Sequence, residues 1–364
     1  MKVLIGGGGT GGHVFPAIAI AKALKKEDNN IELLFVGALG KIEMEKVPAE
    51  GFKIIGLPSA GFQRKQIFKN ITLPFKLAKC MLMSKKIIKD FSPDIAVGVG
   101  GYASGPILKA AANAGIPIVI QEQNSHAGLT NRLLAKKAVK VFTAYEGMEK
   151  YFDKSKIVLT GNPVRPDIVE NNASREEALK YFGLVSNKKT LLSLGGSLGA
   201  GTINKSILSK VEQLQESGIQ VIWQTGKYYF DSIEKELKQK NCPDIHAMPF
   251  ISRMDLAYKI SDVVISRSGA LSVSELCIAG KPVVFVPSPN VAEDHQTKNA
   301  EALVSKSAAM MVSDIQAQEK LVELVLELCK DEKKQTLLKN NIKKLAISNS
   351  SCIIAREIIN LAKK

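Results

Sequence analysis

The chain has 364 residues, which is long enough for two domains with separate hydrophobic cores. Hydrophobic residues make up 45% of it and charged residues 23%, the composition of a soluble globular protein. The formal net charge of +15 indicates a polyanionic partner surface, either nucleic acid or anionic lipid.

The five cysteines are scattered and show no paired C-x-x-C spacing. This pattern argues against a disulfide or zinc framework and favours a reducing compartment. The chain begins directly with an apolar strand, and no apolar run approaches the ~18 residues that a membrane-spanning helix needs. We therefore expect a cytoplasmic protein without a signal peptide or a membrane span.

The first predicted element is an apolar strand at 2–6, which runs into a glycine-rich loop at 6–12. Pro16 then falls in the first turn of a helix, where proline is tolerated. The amides at such a helix start favour an anion, usually phosphate. The loop has the G-x-G-x-x-G spacing of dinucleotide-binding folds, but no carboxylate closes the second predicted strand at 31–37, as that motif requires. A glycine turn that only packs helix against strand is the alternative.

A basic and apolar segment follows, with no acidic residue between Glu50 and Asp90. From residue 64 onward its basic residues are Arg64, Lys65, Lys69, Lys76, Lys79, Lys85, Lys86 and Lys89. Helical spacing places an apolar stripe along one side: Ile67, Ile71, Phe75, Ala78 and Leu82. Pro74 should bend or interrupt this helix. An ordinary amphipathic helix with a solvated lysine face is one interpretation. The surplus of apolar residues favours a lipid-facing surface over a nucleic-acid one, for which no motif is present.

Strands and helices alternate along the chain, which predicts an α/β fold with parallel sheets. The predicted strands lie at 2–6, 31–37, 52–56, 94–99, 116–120, 139–143, 190–194, 219–224, 245–249, 262–266 and 282–286. Further glycine loops at 98–106 and 195–201 open helices, and the proline-rich segment 161–166 resembles a hinge. We expect two Rossmann-like, doubly wound domains that face each other across a cleft. We expect a first domain at 1–162, a second domain at 163–340, and a helical tail at 341–364 that packs back on the first domain.

The strand predicted at 262–266 leads into a helix through Ser268, Gly269 and Ala270. Their amides and the serine hydroxyl can meet an anion there. Glu275 lies about one turn further, where its carboxylate can accept hydrogen bonds from ribose hydroxyls. Taken alone, Ser268 is a helix cap and Glu275 is an acid that favours the helix dipole.

Seven motifs in this order resemble those of the peptidoglycan N-acetylglucosaminyltransferases, which convert lipid I to lipid II. They are GGGTGGHVFPA at 7–17, GGYASGP at 100–106, EQN at 122–124, AGLTN at 127–131, GNPVR at 161–165, GGSLGA at 195–200 and SRSGALSVSE at 266–275. The resemblance spans nearly the whole chain. Gly201 stands where members of this family commonly carry arginine, and Leu198 stands where glutamine is frequent. Gln121 stands where some members carry histidine. These departures weaken any catalytic role for positions 121 and 201.

The resemblance implies the GT-B architecture and an inverting transfer of N-acetylglucosamine from UDP-N-acetylglucosamine to the 4-hydroxyl of undecaprenyl-diphospho-N-acetylmuramoyl-pentapeptide. It assigns the UDP-sugar to the second domain, where the Ile251 backbone holds uracil and Glu275 holds the ribose. The implied diphosphate site at the helix start comprises Ala270, Leu271, Ser272, Val273 and Ser274. The implied sugar and phosphate pocket adds Asn124, Arg165, Ser197 and Gln296, with Thr10, Gly11 and Gly12 reaching over from the first domain. The loops at 6–13 and 100–106 would receive the diphosphate of the acceptor.

An inverting transfer needs a base for the incoming hydroxyl and stabilisation of the departing diphosphate. His13 is the leading candidate base, because an unperturbed histidine has a pKa near 6.5 and this one lies in the glycine loop. Glu122 is the alternative base, and a structural histidine that caps the turn is the alternative role for His13. Helix amides and Arg165 can stabilise the leaving UDP. The chain has no Asp-x-Asp pair to hold a divalent ion, so we expect neither a metal nor another cofactor.

The expected partners are UDP-N-acetylglucosamine, lipid I and an anionic membrane surface, with cell-wall synthesis proteins as further candidates and no nucleic acid. The expected place is the cytoplasmic face of the bacterial plasma (inner) membrane, as a peripheral protein. Two rival functions remain. One is a UDP-sugar 2-epimerase or another GT-B transferase, and the other is a non-enzymatic nucleotide-binding or membrane-scaffold protein.

Overall fold

The computed structural model describes residues 1–58, 73–196 and 198–363. The chain forms two compact units. The first comprises Met1–Val164 with Ser348–Lys364, and the second comprises Arg165–Ile347. The boundaries therefore lie at 164/165 and 347/348, compared with 162/163 and 340/341 expected from the sequence.

In the described residues, the first unit contains a parallel sheet of seven strands in the order β3-β2-β1-β4-β5-β6-β7. The strands are β1 (Lys2–Gly6), β2 (Glu32–Ala38), β3 (Lys53–Leu57), β4 (Ile95–Gly98), β5 (Ile118–Glu122), β6 (Lys140–Thr143) and β7 (Ile157–Leu159). Val3 of β1 pairs with Leu33 on one side and Ile95 on the other, so these strands end at the same edge. The strand order reverses between β1 and β4, which is where such sheets bind ligands.

The helices that follow these strands are α1 (Gly11–Glu27), α2 (Glu43–Ala49), α3 (Leu73–Phe91), α4 (Ser104–Asn113) and α5 (Leu129–Ala135). Helix α1 buries Ile18, Ala21 and Leu24 in the core beside the sheet, as its alanine- and isoleucine-rich sequence requires. Lys25 and Lys26 lie in its last turn, where positive charge is stabilised by the helix dipole.

The described part of the second unit repeats this plan with six parallel strands in the order β10-β9-β8-β11-β12-β13. They are β8 (Thr190–Leu194), β9 (Gln220–Gln224), β10 (Ile245–Met248), β11 (Val263–Ser266), β12 (Val283–Phe285) and β13 (Met310–Met311). The order reverses between β8 and β11, so a second ligand-binding edge lies there.

The helices of this unit are α6 (Pro166–Val169), α7 (Arg175–Phe182), α8 (Gly201–Leu208), α9 (Val211–Glu216), α10 (Lys227–Gln239), α11 (Met254–Ile260), α12 (Ala270–Ala279), α13 (His295–Val304), α14 (Ala317–Lys330) and α15 (Glu332–Lys343). The core is centred on the fully buried Trp223, whose indole Nε1 donates to Asn204 Oδ1 at 3.0 Å. Asn204 Nδ2 in turn donates to the Thr225 carbonyl at 2.8 Å, so the Asn204 amide group is hydrogen-bonded on both sides.

The tail forms α16 (Ser350–Ala362), which belongs to the first unit and packs against α1. Ile354, Ala355 and Ile358 are fully buried in that contact. Arg356 Nε donates to Glu27 Oε1 of α1 at 2.9 Å. The last helix thus completes the core of the domain in which the chain begins.

Helix α3 is oriented differently from the amphipathic helix expected from the sequence. Its core-facing side carries Cys80, Ser84 and Ile87, whereas Leu82 is 69% exposed. Ala78, one turn before Leu82, is also exposed. The predicted apolar stripe, where its side chains are described, therefore faces solvent instead of the core. Ile67 and Ile71 of the stripe, and Arg64, Lys65 and Lys69, lie outside the described residues.

Candidate active site

In the first unit, two glycine-rich loops meet at the carboxyl edge of the sheet. The Gly8 amide donates to the Gly100 carbonyl at 3.2 Å. A Cβ on Gly101 would lie 2.1 Å from the Gly8 carbonyl oxygen, so the two backbones approach too closely for a side chain. The structure thus brings together the loops that the resemblance assigned to the acceptor's diphosphate.

Helix α1 begins directly after the first of these loops. Thr10 precedes it in an extended conformation (φ −144°, ψ 159°), and Gly11 and Gly12 form its first residues. The amides of the first turn of a helix are not used by the helix itself, and they carry the positive end of its dipole. This arrangement suits an anion such as a phosphate.

His13 lies in the first turn of α1 and hydrogen-bonds to the loop that precedes it. Its Nδ1 is 3.1 Å from the Gly8 carbonyl oxygen and 3.2 Å from Thr10 Oγ1. Because a carbonyl oxygen can only accept, Nδ1 carries the proton in that bond, and Nε2 is the basic nitrogen of the neutral ring. Nε2 points towards Gly100, where an added Cβ would lie 2.9 Å away. The imidazole is therefore held in the Nδ1–H tautomer, which a general base that acts through Nε2 needs.

Glu122, the other candidate base, ends β5 and is 2% exposed. Its Oε1 accepts from the Asn124 amide at 3.1 Å, and Oε2 accepts from the Gly128 amide at 3.0 Å and from Asn131 Nδ2 at 2.9 Å. Burial raises the pKa of Glu122, while these hydrogen bonds oppose that rise. Both carboxylate oxygens are thus engaged in holding the loop that carries Asn124, and the geometry favours His13 as the base.

In the second unit, α12 begins at Ala270 on the carboxyl side of β11. Gly269 precedes it in an extended conformation (φ −64°, ψ 147°) and, as a glycine, has no side chain that could cap the helix. The positive end of the helix dipole at such a start suits an anion. Ser268 is fully buried, and its hydroxyl donates to the Gln296 carbonyl at 2.8 Å. That hydroxyl is therefore used within the protein, in contrast to the anion contact expected from the sequence. Ser274 Oγ likewise donates to the Ala270 carbonyl at 3.1 Å.

Glu275 lies one turn into α12 and is bonded to two side chains. Arg165 Nε donates to its Oε1 at 3.3 Å, and Tyr258 Oη donates to its Oε2 at 3.2 Å. Burial raises the pKa of Glu275, and the charge of Arg165 and the Tyr258 hydrogen bond oppose that rise. The pKa of Tyr258 is well above its usual value, because burial and the neighbouring carboxylate both disfavour its ionised form. The Arg165 side chain is 39% exposed, whereas Tyr258 is 2% exposed, so Arg165 is the partner that a ligand hydroxyl could displace.

The loops around the predicted nucleobase site are joined by one buried amide side chain. Gln224 Oε1 accepts from the Ile251 amide at 2.9 Å, and its Nε2 donates to the Gly196 carbonyl at 2.9 Å. A uracil that uses the Ile251 amide would have to displace Gln224 from it. Among the residues predicted for the sugar and phosphate pocket, Gln296 accepts through Oε1 from the Ser288 amide at 2.9 Å. Ser197 lies outside the described residues.

The predicted site residues thus fall into two groups. The first unit contains Thr10, Gly11, Gly12, His13, Glu122 and Asn124. The second unit contains Arg165, Ile251, Ala270, Leu271, Ser272, Val273, Ser274, Glu275 and Gln296. Sequence reasoning missed Asn131, Gln224 and Tyr258, which hold the predicted residues in place. Asn131 lies in the AGLTN motif, but Tyr258 and Gln224 lie on other elements and show no sequence signal. No cluster of three or more His, Cys, Asp or Glu side chains suited to a metal occurs in the part of the chain that is described.

Two parallel-sheet Rossmann-like units, each with a helix that starts at a glycine-rich turn, define the GT-B architecture. The N-terminal domain model of glycosyltransferase family 28 matches residues 3–143, and the C-terminal domain model of that family matches residues 190–355. The chain belongs to glycosyltransferase family 28.

Curated relatives match over the full length. The UDP-N-acetylglucosamine--N-acetylmuramyl-(pentapeptide) pyrophosphoryl-undecaprenol N-acetylglucosamine transferase of Phocaeicola vulgatus is 53% identical, with 100% of this chain and 97% of the relative covered. The enzyme of the same name from Parabacteroides distasonis is 54% identical, with coverage of 100% and 99%. Among solved structures, MurG of Acinetobacter baumannii superposes with a TM-score of 0.80 at 26% identity over 99% of both chains. A UDP-GlcNAc 2-epimerase from Neisseria meningitidis, at a TM-score of 0.66, 16% identity and coverage of 99% and 100%, shares the fold.

The ion pair between Arg165 and Glu275 yields a stability prediction. We expect Arg165→Met to lower the free energy of unfolding at pH 7 by about 1–2 kcal/mol, because it leaves the Glu275 carboxylate without its cation. The loss stays below that of a fully buried pair, since the Arg165 side chain is 39% exposed. Without Arg165 the pKa of Glu275 rises further, so the folded state binds a proton more readily as the pH falls, and the deficit should shrink between pH 7 and pH 5.

Urea denaturation at both pH values measures this deficit. Arg356→Met is the matched control, because Arg356 forms an ion pair while its side chain is 69% exposed. The control should change stability by less than about 0.5 kcal/mol at either pH. A deficit for Arg165→Met that grows as the pH falls would contradict the assigned pairing.

Proposed function

We propose that the protein transfers N-acetylglucosamine from UDP-N-acetylglucosamine to the 4-hydroxyl of undecaprenyl-diphospho-N-acetylmuramoyl-pentapeptide (lipid I), which forms lipid II for peptidoglycan synthesis. The observation that carries this proposal is the full-length identity of 53–54% to enzymes named for this transfer. The two phosphate-suited helix starts and the position of His13 support it from the structure.

The donor is assigned to the second unit. The first-turn amides of α12 receive the diphosphate, and Glu275 accepts hydrogen bonds from the ribose hydroxyls in place of the one from Arg165, while the buried Tyr258 keeps its bond. Arg165, once released from Glu275, carries a charge that suits the phosphates. The Ile251 backbone is the proposed contact of the nucleobase. The proposed contacts of the sugar and phosphates are Ser197, Asn124, Gln296, Thr10, Gly11 and Gly12.

The acceptor is assigned to the glycine loops of the first unit. In the proposed step, the 4-hydroxyl oxygen attacks the anomeric carbon of the donor sugar, and His13 Nε2 takes the hydroxyl proton. The bond from that carbon to the β-phosphate oxygen breaks, and UDP leaves with its electron pair. The amides of α12 and Arg165 stabilise the charge that develops on the departing diphosphate. No step is assigned to a metal ion.

The 2-epimerase is the second candidate, because epimerase structures share this fold. Fold similarity at 16% identity or less shows the architecture alone. An epimerase converts UDP-N-acetylglucosamine without any acceptor, so a reaction of the donor alone separates the two functions.

We also infer that the protein works as a peripheral protein at the cytoplasmic face of the plasma membrane, on an anionic lipid surface. The exposed side of α3 presents Ala78 and Leu82 among Lys79, Lys85 and Lys89, all of them exposed. Apolar side chains surrounded by lysines suit an interface with anionic lipid. The polyprenyl chain of the proposed acceptor stays in the bilayer, so an enzyme that uses it must reach that surface. No helix in the described part of the chain is long and apolar enough to cross a membrane.

The donor assignment predicts the effect of Glu275→Ala. We expect this change to weaken UDP-N-acetylglucosamine binding by about 1–3 kcal/mol, since it leaves the ribose hydroxyls without their acceptor. Titration calorimetry measures the affinity, and Glu323→Ala, at an exposed ion pair of the same unit, is the control that should leave it unchanged. An unaltered affinity in Glu275→Ala would remove Glu275 from the donor site.

The base assignment predicts the effect of His13→Ala. Turnover should fall roughly a hundredfold or more, because the hydroxyl loses its proton acceptor. Affinity for UDP-N-acetylglucosamine should change less than about threefold, since the α12 amides and Glu275 remain. His246→Ala, on β10, is the matched control. If His13→Ala keeps turnover within a few-fold of the parent, His13 is a structural residue and Glu122 becomes the candidate.

The membrane assignment predicts binding to vesicles with anionic lipids, which high salt reduces but does not abolish. Each lysine near such a surface contributes about 1 kcal/mol that salt screens, while an inserted leucine contributes a part that salt does not screen. Lys79→Glu with Lys85→Glu should weaken vesicle binding at low salt, and Leu82→Ser should remove most of the binding that persists at high salt. Cosedimentation measures both.

Activity provides the control for that experiment. The same variants should lose activity on a polyprenyl acceptor in bilayers and retain it on a short-chain soluble acceptor. Equal losses on the two acceptors would show that these residues serve the fold or the active site and not the membrane.

A further inference from the structure

A buried carboxylate lies beneath the glycine loop of the first unit. Glu43, the first residue of α2, is 1% exposed. Its Oε2 accepts from the Gly9 amide at 2.8 Å, and its Oε1 accepts from the Ala38 amide at the end of β2 at 2.9 Å. A Cβ on Gly8 would lie 2.2 Å from Glu43 Oε1, so the loop closes over the carboxylate only because residue 8 has no side chain. At this burial Glu43 cannot contact a substrate.

The amide that bonds to Glu43 belongs to the same peptide group that bonds to His13. The N–H of Gly9 and the C=O of Gly8 form one planar unit. Its N–H donates to Glu43, and its C=O accepts from His13 Nδ1 at 3.1 Å. A continuous line of hydrogen bonds therefore runs from the buried carboxylate through one peptide group to the imidazole.

This line has two physical consequences for the imidazole. A hydrogen bond from an amide to a carboxylate is charge-assisted, and chains of hydrogen bonds polarise one another, so the Gly8 carbonyl becomes a stronger acceptor. A stronger acceptor at Nδ1 keeps the proton there and leaves Nε2 basic. A base of this kind is commonly oriented by a third group, which in catalytic triads is a carboxylate in direct contact with the histidine. Here a peptide group lies between the two.

We propose that Glu43 is a positioning residue that fixes the tautomer and orientation of His13 through the Gly8–Gly9 peptide group. The catalytic consequence rests on the proposed function, in which His13 is the base, whereas the effect on the tautomer does not. Glu43 also joins the loop to β2 through the Ala38 amide. A purely structural role would end there and would leave the imidazole unchanged.

The test compares Glu43→Gln with Glu45→Gln, an exposed position on the same helix whose side chain is 77% exposed. Glutamine keeps the size of Glu43 but loses the charge, and it turns an NH₂ group towards one of the two amides. Nitrogen-15 NMR of labelled histidine distinguishes the Nδ1–H tautomer from the Nε2–H tautomer. The chain has four histidines, so the signal that disappears in His13→Ala identifies residue 13.

We expect the His13 ring to be in the Nδ1–H tautomer in the parent and in Glu45→Gln, and to become a mixture in Glu43→Gln. Turnover of Glu43→Gln should fall roughly tenfold to hundredfold, the range known for groups that orient a metal-ligating histidine. The KM for UDP-N-acetylglucosamine should stay within about twofold, because the α12 amides and Glu275, to which the diphosphate and ribose are assigned, belong to the other unit. An unchanged tautomer in Glu43→Gln would overturn the proposal.

A double-variant cycle gives the second readout. If Glu43 acts through His13, Glu43→Gln adds no further loss of turnover to His13→Ala, whereas multiplied losses would show an independent role and contradict the proposal. If His13→Ala keeps its turnover while the tautomer still responds to Glu43→Gln, the base assignment fails and the positioning of the ring stands. Should Glu43→Gln not fold, Glu43→Asp keeps the charge and shortens its reach, and the same tautomer shift is expected there to a smaller extent.

Discussion

Contact between the backbones of neighbouring loops determines the candidate site in each unit. In the first unit a Cβ on Gly101 would lie 2.1 Å from the Gly8 carbonyl, and in the second unit a Cβ on Gly199 would lie 2.1 Å from the Thr225 carbonyl. In each case the loop after the first strand of the sheet rests on the loop after a neighbouring strand. No side chain fits between them, so the loops have little freedom to move apart or rotate. The first-turn amides of α1 are thereby held in place before any ligand arrives, which is the pre-organisation that binding of a charged group favours.

Three carboxylates hold these loops and helix starts, and their hydrogen-bond partners differ; Glu43 and Glu122 are buried, and Glu275 is partly buried. Glu43 bonds to two backbone amides, and Glu122 bonds to backbone amides and to Asn131, so both hold loops that have to stay in one conformation. Glu275 bonds to the side chains of Arg165, which is partly exposed, and Tyr258, which is buried. Glu43 and Glu122 thus hold loops through backbone amides, whereas Glu275 has one partly exposed side-chain partner, which the ribose hydroxyls replace in the proposed function.

Most of the fold could be predicted from the sequence, because apolar runs and glycine loops give strong local signals. Every predicted strand is present, with ends shifted by at most two residues, whereas β7 and β13 were missed because they have only three and two residues and carry little pattern. The orientation of α3 was not predictable, since its core side includes Cys80 and Ser84 while Leu82 faces solvent. No carboxylate follows β2 directly in sequence, yet Glu43 returns to its end in space, a contact that sequence spacing does not reveal.

Transfer of N-acetylglucosamine to a lipid-linked muramoyl acceptor with inversion can be measured directly. Radiolabelled UDP-N-acetylglucosamine and lipid I are incubated with the protein, and the lipid product, free UDP and remaining sugar nucleotide are separated and quantified. We expect one β-linked N-acetylglucosamine per acceptor, UDP released in equal amount, and no change of the donor when lipid I is omitted. Conversion of the donor to its 2-epimer without labelled lipid II would contradict the proposed transfer.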